Sequence, residues 1–399
     1  MIYFKVNVME SFPYNELWNY YFTQHSPTRV PTNYYGGKNA QQYLQALFQA
    51  TTTLYSSLYP KKLIEFTNID PKKTVLYFIG DIHGSFPSIH RLVSFGLKVL
   101  SSSSFDSQSS KTTKYTKHAK IVFLGDYVDR DSNDLHTLIL LLLFNLKFPH
   151  NVLLLRGNHE ENSINQLYGF KRTVLSNFSK GLYSQISHFF STLPLIAIFS
   201  IPISFAIIAL HGGVPANWEN LKEPVLIRNI HLNSNVTSIY KMDPVSQQIL
   251  WNDPSESLPI SADFYPNRNR GGTFYEFSSS AFRQFIRANN LDIMIRGHQM
   301  FTNGYRFYFN RELLSLFSTV EYCGMKVDGK IARVTFVKER FNDLSASEEK
   351  EVTLKEKNRE ENEKGVEENI EEENDETGID ETIKKISANI ELLPLLRLS

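Results

Sequence analysis

Five runs of apolar, strand-like residues end beside a glycine that adjoins, or nearly adjoins, a side chain able to bind a metal ion. They are Thr74 to Ile79 before Gly80-Asp81-Ile82-His83, Ile121 to Leu124 before Gly125-Asp126, and Val152 to Leu155 before Arg156-Gly157-Asn158-His159. The last two are Phe205 to Leu210 before His211-Gly212-Gly213 and Leu291 to Ile295 before Arg296-Gly297-His298. Asp81 and His83 lie two apart, so an extended backbone points both the same way. Asp126 is a carboxylate able to bridge two cations, while Asn158, His211 and His298 add a neutral oxygen and two imidazoles. Hard oxygen with borderline nitrogen, and no thiolate, suits manganese, iron or zinc. Two such cations ~3.5–4 Å apart activate a bridging water and hold both ends of an in-line displacement, the layout of phosphate-ester hydrolysis. A single Gly-Asp after a strand is usually a turn, and a single His is usually a core residue. The five motifs together point to one metal centre.

To gather these ligands, the chain needs buried strands that end on one side, with glycines letting the backbone turn tightly. Its 399 residues, 42% apolar and 13% aromatic, suffice for one α/β domain of about 300 residues with tails. Helices are expected at Ala40 to Leu58, Ser88 to Leu100 and Leu135 to Phe148, the last apolar nearly all round. Strand, helix, strand is the resulting rhythm, and it implies a partly parallel sheet layered with helices. Residues 1–38 read as an N-terminal extension, 39–337 as the catalytic body, and 101–118 as a Ser-rich insertion loop too polar to bury. Leu193 to Leu210 lacks charge, but Pro194, Ser200, Pro202 and Ser204 make it a buried hairpin and not a membrane span.

Charge and cysteine use narrow the setting. Lys plus Arg and Asp plus Glu number 42 each, yet Ser345 to Glu391 holds 17 acidic and 7 basic residues, leaving 35 basic and 25 acidic elsewhere. A basic body suits an anionic substrate. Cys323 is the single cysteine and the first residues carry no secretory signal, so a reducing compartment is expected, the cytoplasm, with the nucleus left open. The sequons at Asn177 and Asn235 are then chance matches. Residues 338–399 read as an acidic, largely disordered tail. Within it Ile379, Ile383, Ile386, Ile390 and Leu393, spaced four, three, four, three, predict a short helix over 379–393. If that helix docks, the acidic linker could compete for the substrate surface.

Gly80-Asp81-Ile82-His83-Gly84, Gly125-Asp126-Tyr127-Val128-Asp129-Arg130 and Arg156-Gly157-Asn158-His159-Glu160 resemble the three signature motifs of the phosphoprotein phosphatases, serine/threonine phosphatases within the calcineurin-like metallophosphoesterases. Further matches narrow it: Ser163-Ile164-Asn165, Tyr168-Gly169-Phe170, Leu250-Trp251-Asn252-Asp253-Pro254, Arg270-Gly271-Gly272, Arg296-Gly297-His298-Gln299 and Tyr322-Cys323-Gly324. The resemblance covers about residues 60–337. It implies an α/β fold, a central β-sandwich flanked by helices, and hydrolysis of phosphoserine and phosphothreonine at two divalent cations. Asp81, His83 and Asp126 would hold one cation, and Asp126, Asn158, His211 and His298 the other. By the same resemblance His159 is the general acid, Asp129 orients its ring, Arg130 and Arg270 grip the phosphoryl oxygens, and Tyr322 lies beside the site. Implied partners are phosphoprotein substrates and optional regulatory subunits, with no nucleic acid and no membrane.

Asp131 stands where that family usually has glycine, and Ser318-Thr319-Val320-Glu321-Tyr322 departs from its usual loop before the tyrosine. These departures support one rival, a phosphoprotein-binding scaffold without turnover; a second rival is an esterase for nucleotides or other small esters, which the Trp251 to Pro254 and Tyr322 motifs oppose. Arg333-Val334-Thr335-Phe336 resembles a docking motif carried by partners of one phosphatase subfamily, but Ile331 to Val337 alternates like a closing strand.

Overall fold

The computed structural model describes residues 12–102, 118–217, 223–230, 232, 236–258, 262–338 and 386–398. The apolar runs become strands because each is short, rich in β-branched and aromatic residues, and buried on both faces. In chain order the first nine strands are β1 (Leu63–Phe66), β2 (Thr74–Ile79), β3 (His118–Phe123), β4 (Val152–Leu154), β5 (Ile196–Ile201), β6 (Phe205–Leu210), β7 (Asp253–Pro254), β8 (Phe264–Pro266) and β9 (Tyr275–Phe277). They continue as β10 (Ile293–Arg296), β11 (Tyr305–Tyr308), β12 (Leu313–Leu316), β13 (Glu321–Tyr322), β14 (Met325–Lys326), β15 (Lys330–Lys338) and β16 (Ile386–Pro394). One sheet runs β1-β5-β6-β10-β12-β11 and another runs β16-β15-β2-β3-β4; β7-β9-β8 and β13-β14 are smaller.

Both large sheets are mixed. In one, β2, β3 and β4 are parallel, and in the other β6, β10 and β12 are parallel. The alternation of side chains along β2 and β5 shows how the layers stack. Val75, Tyr77 and Ile79 join a core built with the helices Ala40–Leu58, Phe86–Ser102, Asp134–Lys147 and Lys180–Thr192. Ile196 and Ile198 join a second core with the helices Pro244–Trp251 and Ser279–Ala288. Phe78 and Phe199, on the opposite faces of their strands, are buried and meet edge to face, with ring centroids 5.8 Å apart. The two sheets therefore face each other with helices outside each, a four-layer sandwich. The expected helix at Leu135 to Phe148 runs Asp134–Lys147 and is buried from Asp134 to Leu146, as its all-round apolar sequence requires.

Leu193 to Leu210 is the buried hairpin the prolines and serines suggested, with β5 and β6 antiparallel and the turn after Ile201. Among the described residues no helix is long and apolar enough to cross a membrane. The N-terminal extension is built into the body from Phe12 onward: Phe12, Tyr14, Leu17 and Tyr21 are buried in the first core, and the Tyr14 hydroxyl donates to the Leu143 carbonyl at 2.9 Å. Most of the predicted Ser-rich loop, residues 103–117, lies outside the described residues.

The chain divides into two units, Met1–Thr335 with Ile390–Ser399, and Phe336–Asn389. In the second, the described residues are the end of β15 and the start of β16. Here the sequence expectation of a helix over 379–393 needs correction. Residues 386–394 form a strand next to β15, while 379–385 lie outside the described residues. Ile386, Ala388, Ile390 and Leu392 also alternate with period two, and a free sheet edge favours that reading over a helix with no neighbour to cover its stripe. Beyond the strand, Leu395 donates its N–H to the Gly329 carbonyl at 2.8 Å and is fully buried in the first core. Residues 386–398 are thus tied to the body, while the acidic stretch 339–385 of the expected tail lies outside the described residues. Leu395→Ala should lower stability by about 2–4 kcal/mol, seen as a lower urea midpoint, whereas Leu396→Ala, half exposed at 51%, should leave it unchanged within ~0.5 kcal/mol.

Candidate metal centre

The carboxyl ends of β2, β3, β4, β6 and β10 deliver the candidate ligands, and the end of β12 closes the group. Asp81 bridges to Phe317 in parallel fashion, and the Ser318 N–H donates to the Asp81 carbonyl at 3.0 Å, so the two sheets touch where the ligands emerge. Two glycines make the approach close enough. Gly125 has φ 107°, and a Cβ there would lie 2.5 Å from the Gly157 backbone. A Cβ on Gly297 would lie 2.5 Å from an Asp81 carboxylate oxygen. Among non-glycine residues His83, Asp126, Asp129, Arg130 and His298 all hold left-handed backbone, with φ of 45°, 54°, 67°, 74° and 75°. Such residues cost energy that packing elsewhere must offset, and their concentration among the sequence-predicted site residues marks this as the functional region.

The six candidate ligands come together, all buried. His83 Nε2 lies 3.7 Å from Asp81 Oδ2 and 3.5 Å from Asp126 Oδ2. On the other side of Asp126, Oδ1 lies 3.3 Å from His211 Nε2. Asn158 Oδ1 is 2.8 Å from His211 Nε2 and 2.9 Å from His298 Nδ1. Two clusters of ligand atoms, one with His83 and one with His211 and His298, share Asp126. His83 Nδ1 donates to the Val128 carbonyl at 3.2 Å and His211 Nδ1 to the Leu124 carbonyl at 2.9 Å. Each bond fixes the tautomer and turns the bare Nε2 lone pair inward, the usual way ligating histidines are oriented. Oxygen and nitrogen lone pairs crowded together repel unless a cation lies among them or the Asn158 amide rotates to donate. Asp81 Oδ2 is also buried without a hydrogen-bond partner among the described residues. This donor set fits two divalent cations.

The charges lean the same way. Burial, and then the nearby Asp126 carboxylate, push Asp81 up to about 7. Asp126 goes the other way: burial opposes ionisation, but His211, His159 and His83 around it hold its carboxyl well below the usual range. Burial, reinforced by His159, lowers His83 to about 3, and burial with Arg270 and His211 nearby lowers His298 strongly. Neutral imidazoles are what a cation needs. His211 and His159 differ: burial would lower both, yet Asp126 raises both above the ordinary value, and at His159 the hydrogen bond it donates to Asp129 adds to the rise.

His159 Nδ1 donates to Asp129 Oδ2 at 2.8 Å, and its Nε2 faces Asp126 Oδ2 at 4.0 Å. By position alone His159 could join the His83 cluster; the bond to Asp129, which favours the protonated ring, separates it from the ligands. The rest of the predicted set lines the rim. Arg130 is exposed, its guanidinium 3.7 Å from the Tyr168 ring centre and 5.9 Å from that of Tyr322. Tyr322 lies 5.1 Å, ring to ring, from His83. Arg270 is no free surface charge: its Nε donates to Asp253 Oδ2 at 3.0 Å and its Nη2 to the His298 carbonyl at 3.3 Å. Asp131 engages its Oδ1 with Asn133, accepting the N–H at 2.8 Å and Nδ2 at 2.9 Å, and makes no ion pair with Arg130 among the described residues.

Four residues that sequence motifs flagged without a role acquire one. Glu160 is fully buried, and its two oxygens accept the N–H groups of Asp126, Tyr127 and Gly157 at 2.8, 2.9 and 2.8 Å, clamping the turn after β3 to the turn after β4. Asn165 donates to Asp129 Oδ2 at 3.0 Å and to the His159 carbonyl at 2.6 Å. Asp253 joins Arg270 to the buried Arg296, whose Nη2 is 3.1 Å away. Tyr168 carries Arg130. The only sequence signal for these four is membership in motifs adjoining the ligands.

Residues 74–301 match the profile of the family described as calcineurin-like phosphoesterase, more than half of this chain. Among solved structures the chain is similar to a protein serine/threonine phosphatase from Saccharomyces cerevisiae, described as having similarity to human phosphatase PP5. The two share 23% identity over 73% of this chain and 82% of that one, with a TM-score of 0.55. A cold-active protein-tyrosine phosphatase of a psychrophilic Shewanella species matches at 17% identity over 69% and 78%, with a TM-score of 0.43. With its sandwich, its strand-end ligands and a profile match that spans all of them, the chain belongs to the calcineurin-like phosphoesterase family.

Proposed function

We propose that this phosphoesterase hydrolyses phosphoserine and phosphothreonine in proteins. The observation that carries the reading is the His159–Asp129 pair beside the shared carboxylate Asp126, with two arginines, Arg130 and Arg270, at the rim. Asp81, His83 and Asp126 would hold one divalent cation, manganese or else iron or zinc, and Asp126, Asn158, His211 and His298 the other. Bound cations would supply an activated water and polarise the phosphoryl group. The chain's own groups do the rest. Arg130 and Arg270 present planar forks to the phosphoryl oxygens. His159, whose pKa Asp126 and the bond to Asp129 raise, gives its proton to the departing serine or threonine oxygen. Against the scaffold reading stand the bonds of Asp131 to Asn133 and the presence of all six candidate ligands.

The test compares phosphate release from a phosphothreonine peptide, a phosphotyrosine peptide and a nucleotide with manganese present. The reading predicts turnover of the first at least about tenfold above the other two, with His159→Asn costing more on the phosphothreonine than on the phosphotyrosine peptide, since an alkoxide leaving group depends most on the acid. Nucleotide hydrolysis exceeding peptide hydrolysis would replace it with the small-ester esterase. Phosphate binding with no turnover of any substrate would restore the scaffold.

A further inference from the structure

We infer that Tyr168 is a positioning residue that holds the Arg130 guanidinium ready for the phosphoryl group and away from the neighbouring Asp131 carboxylate; this rests on the function just proposed. Arg130 is exposed and has left-handed backbone, so nothing in its own main chain fixes where its long side chain goes. Asp131 is its chain neighbour; its bonds to Asn133 engage Oδ1, and burial, then the Glu321 carboxylate, raise its pKa. An arginine adjoining such an acid would ordinarily pair with it. Here it does not: among the described residues Arg130 forms no ion pair, and its guanidinium lies 3.7 Å from the centre of the Tyr168 ring.

Tyr168 is itself held in place. It is the last residue of the short helix Asn162–Tyr168, whose N-cap Glu161 accepts from the Ser163 and Ile164 N–H groups at 2.9 and 3.2 Å. Three residues earlier on the same face, Asn165 binds both Asp129 and the His159 carbonyl. The Tyr168 ring also contacts the His159 ring, centroids 5.2 Å apart. One capped helix thereby fixes the acid, its orienting carboxylate and the phosphate-binding arginine together. Stacking of a guanidinium on a ring face is comparable to or stronger than an exposed ion pair, so the ring wins while it is present. Without it the carboxylate does.

Tyr168→Leu should raise KM for a phosphothreonine peptide, and the Kd for inorganic phosphate measured by calorimetry on the manganese-loaded chain, by about five- to tenfold. kcat should change by less than about threefold, because His159 keeps its bond to Asp129. Tyr168→Phe, which keeps the ring face, should stay within about twofold of the native chain. Asp131→Asn added to Tyr168→Leu should recover most of the loss, since the competing carboxylate is gone. Tyr168→Met serves as a second ringless variant should the leucine form not fold. The inference is overturned if Tyr168→Phe fails as badly as Tyr168→Leu, if only kcat falls, or if Asp131→Asn recovers nothing. Phosphate binding needs no turnover, so a native chain that binds phosphate without hydrolysing the peptide would sink the functional reading while leaving the Tyr168 comparison intact.

Discussion

His159→Asn should lower kcat for a phosphothreonine peptide by about 10²- to 10⁴-fold, the range a general acid supplies. The substitution removes the ring that bonds Asp129 at 2.8 Å, while the backbone N–H that donates to Asp126 Oδ1 at 2.9 Å stays. The metal ligands should therefore keep their places, and manganese affinity should move little. A second substrate separates loss of an acid from general damage. p-Nitrophenolate leaves without protonation, so the deficit on p-nitrophenyl phosphate should be at least about tenfold smaller than on the peptide. Equal deficits on both would show that His159 acts through the metal centre, as one more ligand, and the proximity of its Nε2 to Asp126 would then be its function.

Asp126→Asn should have the other large effect. Its carboxylate is the one group common to both ligand clusters, and replacing it removes a full negative charge between two cations. A loss of several kcal/mol of charge stabilisation, at ~1.4 kcal/mol per decade, amounts to about three orders of magnitude in turnover. Stability distinguishes this from misfolding. In the metal-free protein the neutral amide removes a repulsion on Asp81, which burial and then Asp126 push up to about 7, but it also removes a carboxylate that, against burial, His211, His159 and His83 hold well below its usual range. The metal-free variant should therefore still unfold cooperatively, at a melting temperature below that of the native chain. Only the native chain should gain melting temperature on adding manganese, because ligand binding stabilises in proportion to the logarithm of occupancy. A variant that still gains the native increment would remove Asp126 from the ligand set.

The candidate metal centre was legible in the sequence because strand-end donors announce themselves locally. Gly80, Gly125, Gly157, Gly212 and Gly297 each mark a place where backbone must turn next to a donor, and the six donors chosen on that basis meet around Asp126. What holds them was not legible. Glu160 looks like any glutamate after a histidine, and its clamp on three N–H groups exists only once the turns after β3 and β4 are side by side. The left-handed backbone of Asp126 and His298 is equally invisible in residue type, since it is imposed by surrounding packing and not by local preference. The helix expected at 379–393 shows the opposite failure. Apolar residues at spacings of four and three also include an alternating subset from Ile386 to Leu392, and the free edge of β15 chose between the two periods.

The central claim, that two cations at the six-residue centre drive phosphoester hydrolysis, is tested most directly by titrating the chelator-stripped chain with manganese while following bound metal and phosphate release from a phosphothreonine peptide together. The predicted result is no release from the stripped chain and activity that saturates as the second ion binds. Full activity in the stripped chain, or saturation with no ion bound, would contradict it.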